Sequence, residues 1–109
     1  MFVSPHITNS IERAKSLGVS AAVLATLCGT SPAQLSNANR GLKSLGGERE
    51  LRLSQTSILL VELAEAIKPL HLPDSVDDLR RLVDFVTMSG ISMEHIREHV
   101  NAIFGRDSA

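Results

Sequence analysis

The 109-residue chain predicts an all-α fold. Three observations carry that prediction. Apolar residues recur at three- and four-residue spacing over most of the length, as they do on the buried side of a helix. Serines stand at cap positions ahead of these runs, and in Ser4-Pro5 and Ser31-Pro32 a proline follows at the first helical position, where its missing N–H is no loss. Gly18, Gly29, Gly41 and Gly90 follow the runs, at points where a helix leaves through a left-handed residue. A hydrophobic content of 43% is enough for one compact core at this length and too little for two independent ones.

The first helix is expected from Pro5 to about Leu17, with Ile7, Ile11, Ala14 and Leu17 on one side and Gly18 closing it. Ser20 caps the second, whose apolar positions are Val23, Leu24 and Leu27, and Ala25 is small enough for another helix to cross close against it. Gly29 turns the chain and Ser31-Pro32 restarts it. The third helix runs from Pro32 to about Arg40, burying Leu35 and Ala38. Residues 42–53 read as an ordered loop with room for a helical turn and with Leu42, Leu45, Leu51 and Leu53 to bury, because Gly46-Gly47 disfavours a long helix. Ser54 then caps a helix over Gln55–Lys68, apolar enough at Ile58, Leu59, Leu60, Val61, Leu63, Ala64, Ala66 and Ile67 to be buried on most sides. Pro69 stops it and Pro73 stiffens the link.

Asp74 or Ser75 caps the next helix, with Asp77 and Asp78 at the positive end of its dipole and Val76, Leu79, Leu82, Val83 and Val86 as its stripe. Gly90 ends it. Ser92 caps a last helix carrying Ile96, Val100, Ile103 and Phe104. These two helices are expected to form a hairpin, residues 73–109, whose apolar stripe is covered either by the central helix or by the same hairpin of a second subunit, a two-fold homodimer being the commonest solution.

Charge is unevenly spread. Residues 1–52 carry six Lys/Arg against three acids, a balance of +3, whereas residues 53–109 carry five against nine, a balance of −4. That asymmetry suits a protein whose first half faces phosphate. The lone Cys28 allows no intrachain disulfide and, with no His or Lys nearby in sequence, reads as a small buried residue. No apolar run is long enough to span a bilayer and no basic-then-apolar leader opens the chain, so a cytoplasmic protein is expected.

The string Leu24-Ala25, Gly29, Ser31, Leu35-Ser36 and Gly41 resembles the helix-turn-helix of the phage-repressor type, the Cro/cI-like or XRE family. The likeness covers the two-helix motif and, more loosely, residues 1–72. It implies a repressor-type bundle of four to five helices followed by the helical hairpin. The implied function is sequence-specific binding of double-stranded DNA, at a palindromic operator, by a homodimeric transcriptional regulator of a phage-like or plasmid-like operon, acting as a repressor. Carried over, Ser31, Pro32, Ala33 and Asn37 face the bases, Gln34 and Ser36 lie near the backbone, and Arg40 meets phosphate or a base edge. Lys43, Arg49 and Arg52 follow, where related domains touch the DNA backbone. Asn37 is the strongest candidate reader, since its amide can pair bidentately with adenine.

Departures from the family thin that readout. Ala21 stands where a phosphate-clamping Gln is usual, Pro32 and Ala33 cannot donate a hydrogen bond, and Ala38 is smaller than the residue normally there. They motivate a second expectation, a helix-turn-helix scaffold used as a protein-interaction module, such as an antirepressor, a phage-encoded inhibitor or a polymerase adaptor. Basic residues gathered with Asn37 favour DNA; basic residues paired with Glu48 and Glu50 favour a protein.

Other motifs fail on chemistry. His95-Ile-Arg-Glu98-His99 matches an inverted zinc-protease spacing, yet no His or Cys follows to supply a third ligand. Val86, Gly90, Ser92 and Ile96 echo a second helix-turn-helix, but Asp84, Glu94 and Glu98 would set acids against phosphate. Gly46-Gly47 lacks the Lys-Ser/Thr of a phosphate loop, and three Phe with no Trp or Tyr make a poor single-strand stacking platform. No enzyme activity and no cofactor are expected.

Overall fold

The computed structural model describes residues 5–68, 70–90, 92, 95, 96 and 98. Among them are five helices and no strand: α1 (Pro5–Lys15), α2 (Ala21–Leu27), α3 (Pro32–Asn39), α4 (Gly47–Ala66) and α5 (Val76–Ser89). The chain divides into two compact units, Met1–Val61 and Glu62–Ala109.

In the first unit α1 buries Ile7, Ser10, Ile11 and Ala14, one stripe at helical spacing. The buried Ser10 hydroxyl is satisfied by donating to the His6 carbonyl at 2.7 Å. The Ser4 cap lies outside the described residues. Behind Ala14 the chain closes as a Schellman turn: Val19 N–H donates to Ala14 O and Gly18 N–H to Lys15 O, both at 3.0 Å, and Val19 folds into the core. Leu17, expected on that side, is only half-buried.

The Ser20 cap of α2 is present, its hydroxyl accepting from Val23 N–H at 3.2 Å. The buried side of this short helix is Leu24, Ala25 and Cys28; Val23 and Leu27, expected in the core, are half-buried, because two turns of helix offer only a narrow inward strip. Ala25 is fully buried, and α2 and α3 are closely packed. Helix α3 buries Leu35 and Ala38 as the pattern predicts.

The expected loop over 42–53 holds only for residues 42–46; from Gly47 onward it is helix. Helix α4 begins at Gly47, not at Gln55, and Ser54 lies inside it rather than capping it. Three local features permit the earlier start. Gly46, at φ +88, accepts Glu50 N–H on its carbonyl at 3.1 Å, so it is the cap residue, a position glycine tolerates well. Ser44 Oγ accepts from Gly46 N–H at 3.1 Å. Glu48 and Glu50 then offset the positive end of the dipole. Of the four leucines expected to be buried there, Leu53 alone is; Leu42 and Leu51 are more than half exposed.

Burial along α4 is also narrower than expected. Leu53, Ser57 and Leu60 are buried in the first unit and Leu63 and Ile67 in the second, while Ile58 is 44% exposed and Leu59, Val61, Ala64 and Ala66 are intermediate. Pro69, the expected stop, lies outside the described residues.

In the second unit Ser75 caps α5, its hydroxyl accepting from Asp78 N–H at 3.4 Å, and Leu79, Leu82, Val83 and Val86 are buried with Val76 half-buried. Gly90 ends α5 in the left-handed conformation. Ser92 O accepts from His95 N–H at 3.1 Å and Ile96 is fully buried. Val100, Ile103 and Phe104, the rest of the last predicted helix, lie outside the described residues.

Candidate functional site

The site predicted from sequence sits on α3 and the segments that flank it. Its start is fixed by a capping box: Ser31 Oγ accepts from Gln34 N–H, and Gln34 Oε1 accepts from Ser31 N–H, each at 3.1 Å. Both side chains are thereby drawn into the helix end. Gln34 keeps its amide NH₂ for an outside partner. Ser31, Pro32, Ala33, Gln34 and Ser36 are exposed, whereas Asn37 is half-buried. Arg40 is the C-cap residue, with its side chain exposed. The helix ends through Leu42 N–H to Asn37 O at 2.9 Å and Gly41 N–H to Ala38 O at 3.1 Å.

The turn between α2 and α3 is built the same way. Thr30 N–H donates to Ala25 O at 2.9 Å and Gly29 N–H to Thr26 O at 3.2 Å. Gly29 sits at φ +72, where any residue with a Cβ is strained. Arg52 lies over this turn: a methyl group built on Gly29 would stand 3.8 Å from its Nη1. The same guanidinium pairs with Glu48 across one turn of α4, at 3.6 Å, and both side chains are well exposed.

Lys43, on the segment between α3 and α4, and Arg49, one turn of α4 before Arg52, are exposed too. Lys43 remains in a loop as expected; Arg49 and Arg52 stand on helix instead. The arrangement offers an exposed helix held by a capping box, followed in the chain by exposed cations.

No family model, curated protein or solved structure matches this chain.

Beneath the turn, Cys28 is buried, and that burial pushes its thiol above the ordinary value; a hydrogen bond with the Thr56 side chain and the Arg52 charge pull the other way. Two polar links tie the other helices in. Arg13 Nη1 donates to the buried Ser57 Oγ at 2.6 Å, and Ser57 in turn donates to Ser54 O at 2.8 Å, joining α1 to α4. Thr8 Oγ1 donates to Asn39 Oδ1 at 3.1 Å, joining α1 to α3. Neither link has a sequence signal, since the partners are 44 and 31 residues apart. The capping box does have one, Ser31-Pro-Ala-Gln34.

An open groove of about 380 Å³ lined by His6, Gly47, Glu50, Leu51 and Ser54 lies on the first unit. Among the described residues no three His, Cys, Asp or Glu stand together in a way that could hold a metal ion, and no helix is long and apolar enough to cross a membrane. His99 of the zinc-like spacing lies outside the described residues.

Proposed function

We propose that this chain is a repressor-type helix-turn-helix protein that binds double-stranded DNA as a homodimeric transcriptional regulator in the cytoplasm. One observation carries the reading. Helix α3 is capped at both ends and presents Ser31, Pro32, Ala33, Gln34 and Ser36 outward, with exposed Arg40, Lys43, Arg49 and Arg52 on it and on the segments that follow. In this reading α3 enters the major groove, Asn37 offers its amide to a base edge, Gln34 and Ser36 lie near the backbone, and the cations meet phosphate. Pro32 and Ala33 add shape without donors. Affinity then rests heavily on backbone contacts, pairing of half-sites and DNA deformability.

Selection of random-sequence duplexes by the purified protein at two salt concentrations tests this. The expected result is an enriched inverted repeat, half-sites about one helical turn apart, held more weakly as salt rises. Arg40→Ala should weaken binding to all sequences if the side chain meets phosphate, or relax one position of the site if it meets a base. No enrichment at either salt overturns the proposal.

A second reading has its own support. Arg52 is paired with Glu48, and Ser31 and Gln34 are bonded to each other across the helix end, so part of the predicted readout is engaged within the chain. Those features favour a protein-interaction module on the same scaffold, and a failed selection would move the assignment there.

A further inference from the structure

Arg52, one cation of the predicted set, reaches the turn between α2 and α3. Its Nη1 stands over Gly29, and its charge is felt at Cys28 beneath the turn. The carboxylate that holds it, Glu48, is 3.6 Å away across one helical turn, with the two side chains 55% and 89% exposed for Arg52 and Glu48 respectively. A pair so open to water is weak and exchanges readily. A phosphate carries the same charge with more acceptor oxygens, and a guanidinium binds it in a two-pronged, charge-assisted geometry that a carboxylate at 3.6 Å does not reach.

We propose that Glu48 is an internal competitor for Arg52, occupying the guanidinium until a nucleic-acid backbone phosphate displaces it, so that the pair tempers affinity at the α2–α3 turn. The inference rests on the DNA-binding reading above. It goes beyond that reading in assigning Glu48 a role, one opposed to binding. Arg52 changes partner while its stem stays on α4, and the exchange needs no movement of helices. Glu48 is thereby left in water, at little cost for a side chain already so exposed.

Duplex-DNA binding by wild type, Glu48→Gln, Arg52→Gln, Arg52→Lys and the Glu48→Gln/Arg52→Gln double variant, measured by fluorescence anisotropy across a salt series, tests the exchange. Glu48→Gln should tighten binding about two- to fivefold, the scale of an exposed ion pair. Arg52→Gln should weaken it roughly tenfold and flatten the salt dependence by about one phosphate contact, which Arg52→Lys restores. The decisive result is in the double variant, where the Glu48→Gln gain should vanish. An equal gain with and without Arg52 would show simple repulsion between Glu48 and DNA and overturn the proposal. So would an Arg52→Gln protein that binds like wild type, which leaves DNA binding itself standing. If wild type binds no duplex even at about 50 mM salt, the DNA-binding reading falls and this inference with it.

Discussion

Gly29 and Cys28 show how much a single residue can carry in so short a turn. At φ +72 a Cβ on Gly29 would meet Arg52 Nη1 at ordinary contact distance, so backbone conformation rather than crowding sets the cost of changing it. Gly29→Ala should destabilise the chain by about 1–2 kcal/mol in urea unfolding, with no change in m-value. Cys28 should make stability fall at alkaline pH. Its folded pKa is raised by burial, so the protonated thiol is the favoured native form. The associated stabilisation is present below the ordinary thiol value of 9.0 and is lost as pH rises from there through the raised folded value. Urea midpoints between about pH 7 and 10 should fall for wild type and fall less for Cys28→Ala. Equal alkaline losses in the two proteins would show that another group is responsible.

Among the elements, α3 is the one that carries the proposed readout, and the capping box is what holds its exposed N-terminal turn in place. Ser31→Ala should cost about 1 kcal/mol, and Gln34→Ala less, because the Ser31 hydroxyl still satisfies the Gln34 N–H. Unchanged urea midpoints in both variants would remove the box as a stabilising feature. Helix α4 offers a sharper test. Were Ser54 a cap, proline there would be mild; inside a helix that starts at Gly47 it removes an N–H bond and strikes the preceding turn. Ser54→Pro should therefore cost about 3 kcal/mol or more, read as loss of helical circular dichroism at lower urea. Proline at Ser54 with no loss would restore the expected loop. The local sequence points to a loop because two adjacent glycines outweigh the acids and the cap that make Gly46-Gly47 a helix start, each of which is a weak signal by itself.

At the scale of the whole molecule, the relevant quantities are charge and association. A net charge of −1 conceals a first half at +3, and binding to DNA by that half should weaken steeply with salt despite the chain's slight overall acidity. The proposed operator symmetry requires two copies. Sedimentation equilibrium should find a two-fold dimer in the absence of DNA. A strictly monomeric chain that still selects an inverted repeat would place dimer formation on the DNA instead.

Much of this protein was legible in its sequence because helix ends are local. The Ser20, Ser31 and Ser75 caps, the left-handed Gly18, Gly29, Gly41 and Gly90, and the cores of α1, α3 and α5 each follow from residues within one or two turns of each other. Among the candidate site residues, the exposure of Ser31, Pro32, Ala33, Gln34, Ser36 and Arg40 followed from where Leu35 and Ala38 had to point. Tertiary structure alone decided the rest: which apolar residues of α4 are buried and which stay at the surface, that Ser57 meets Arg13, that Asn39 meets Thr8, and that Arg52 rests over Gly29. Those outcomes depend on which helix lies beside which. Side chains tens of residues apart meet only once the helices have packed, and no local pattern encodes their meeting.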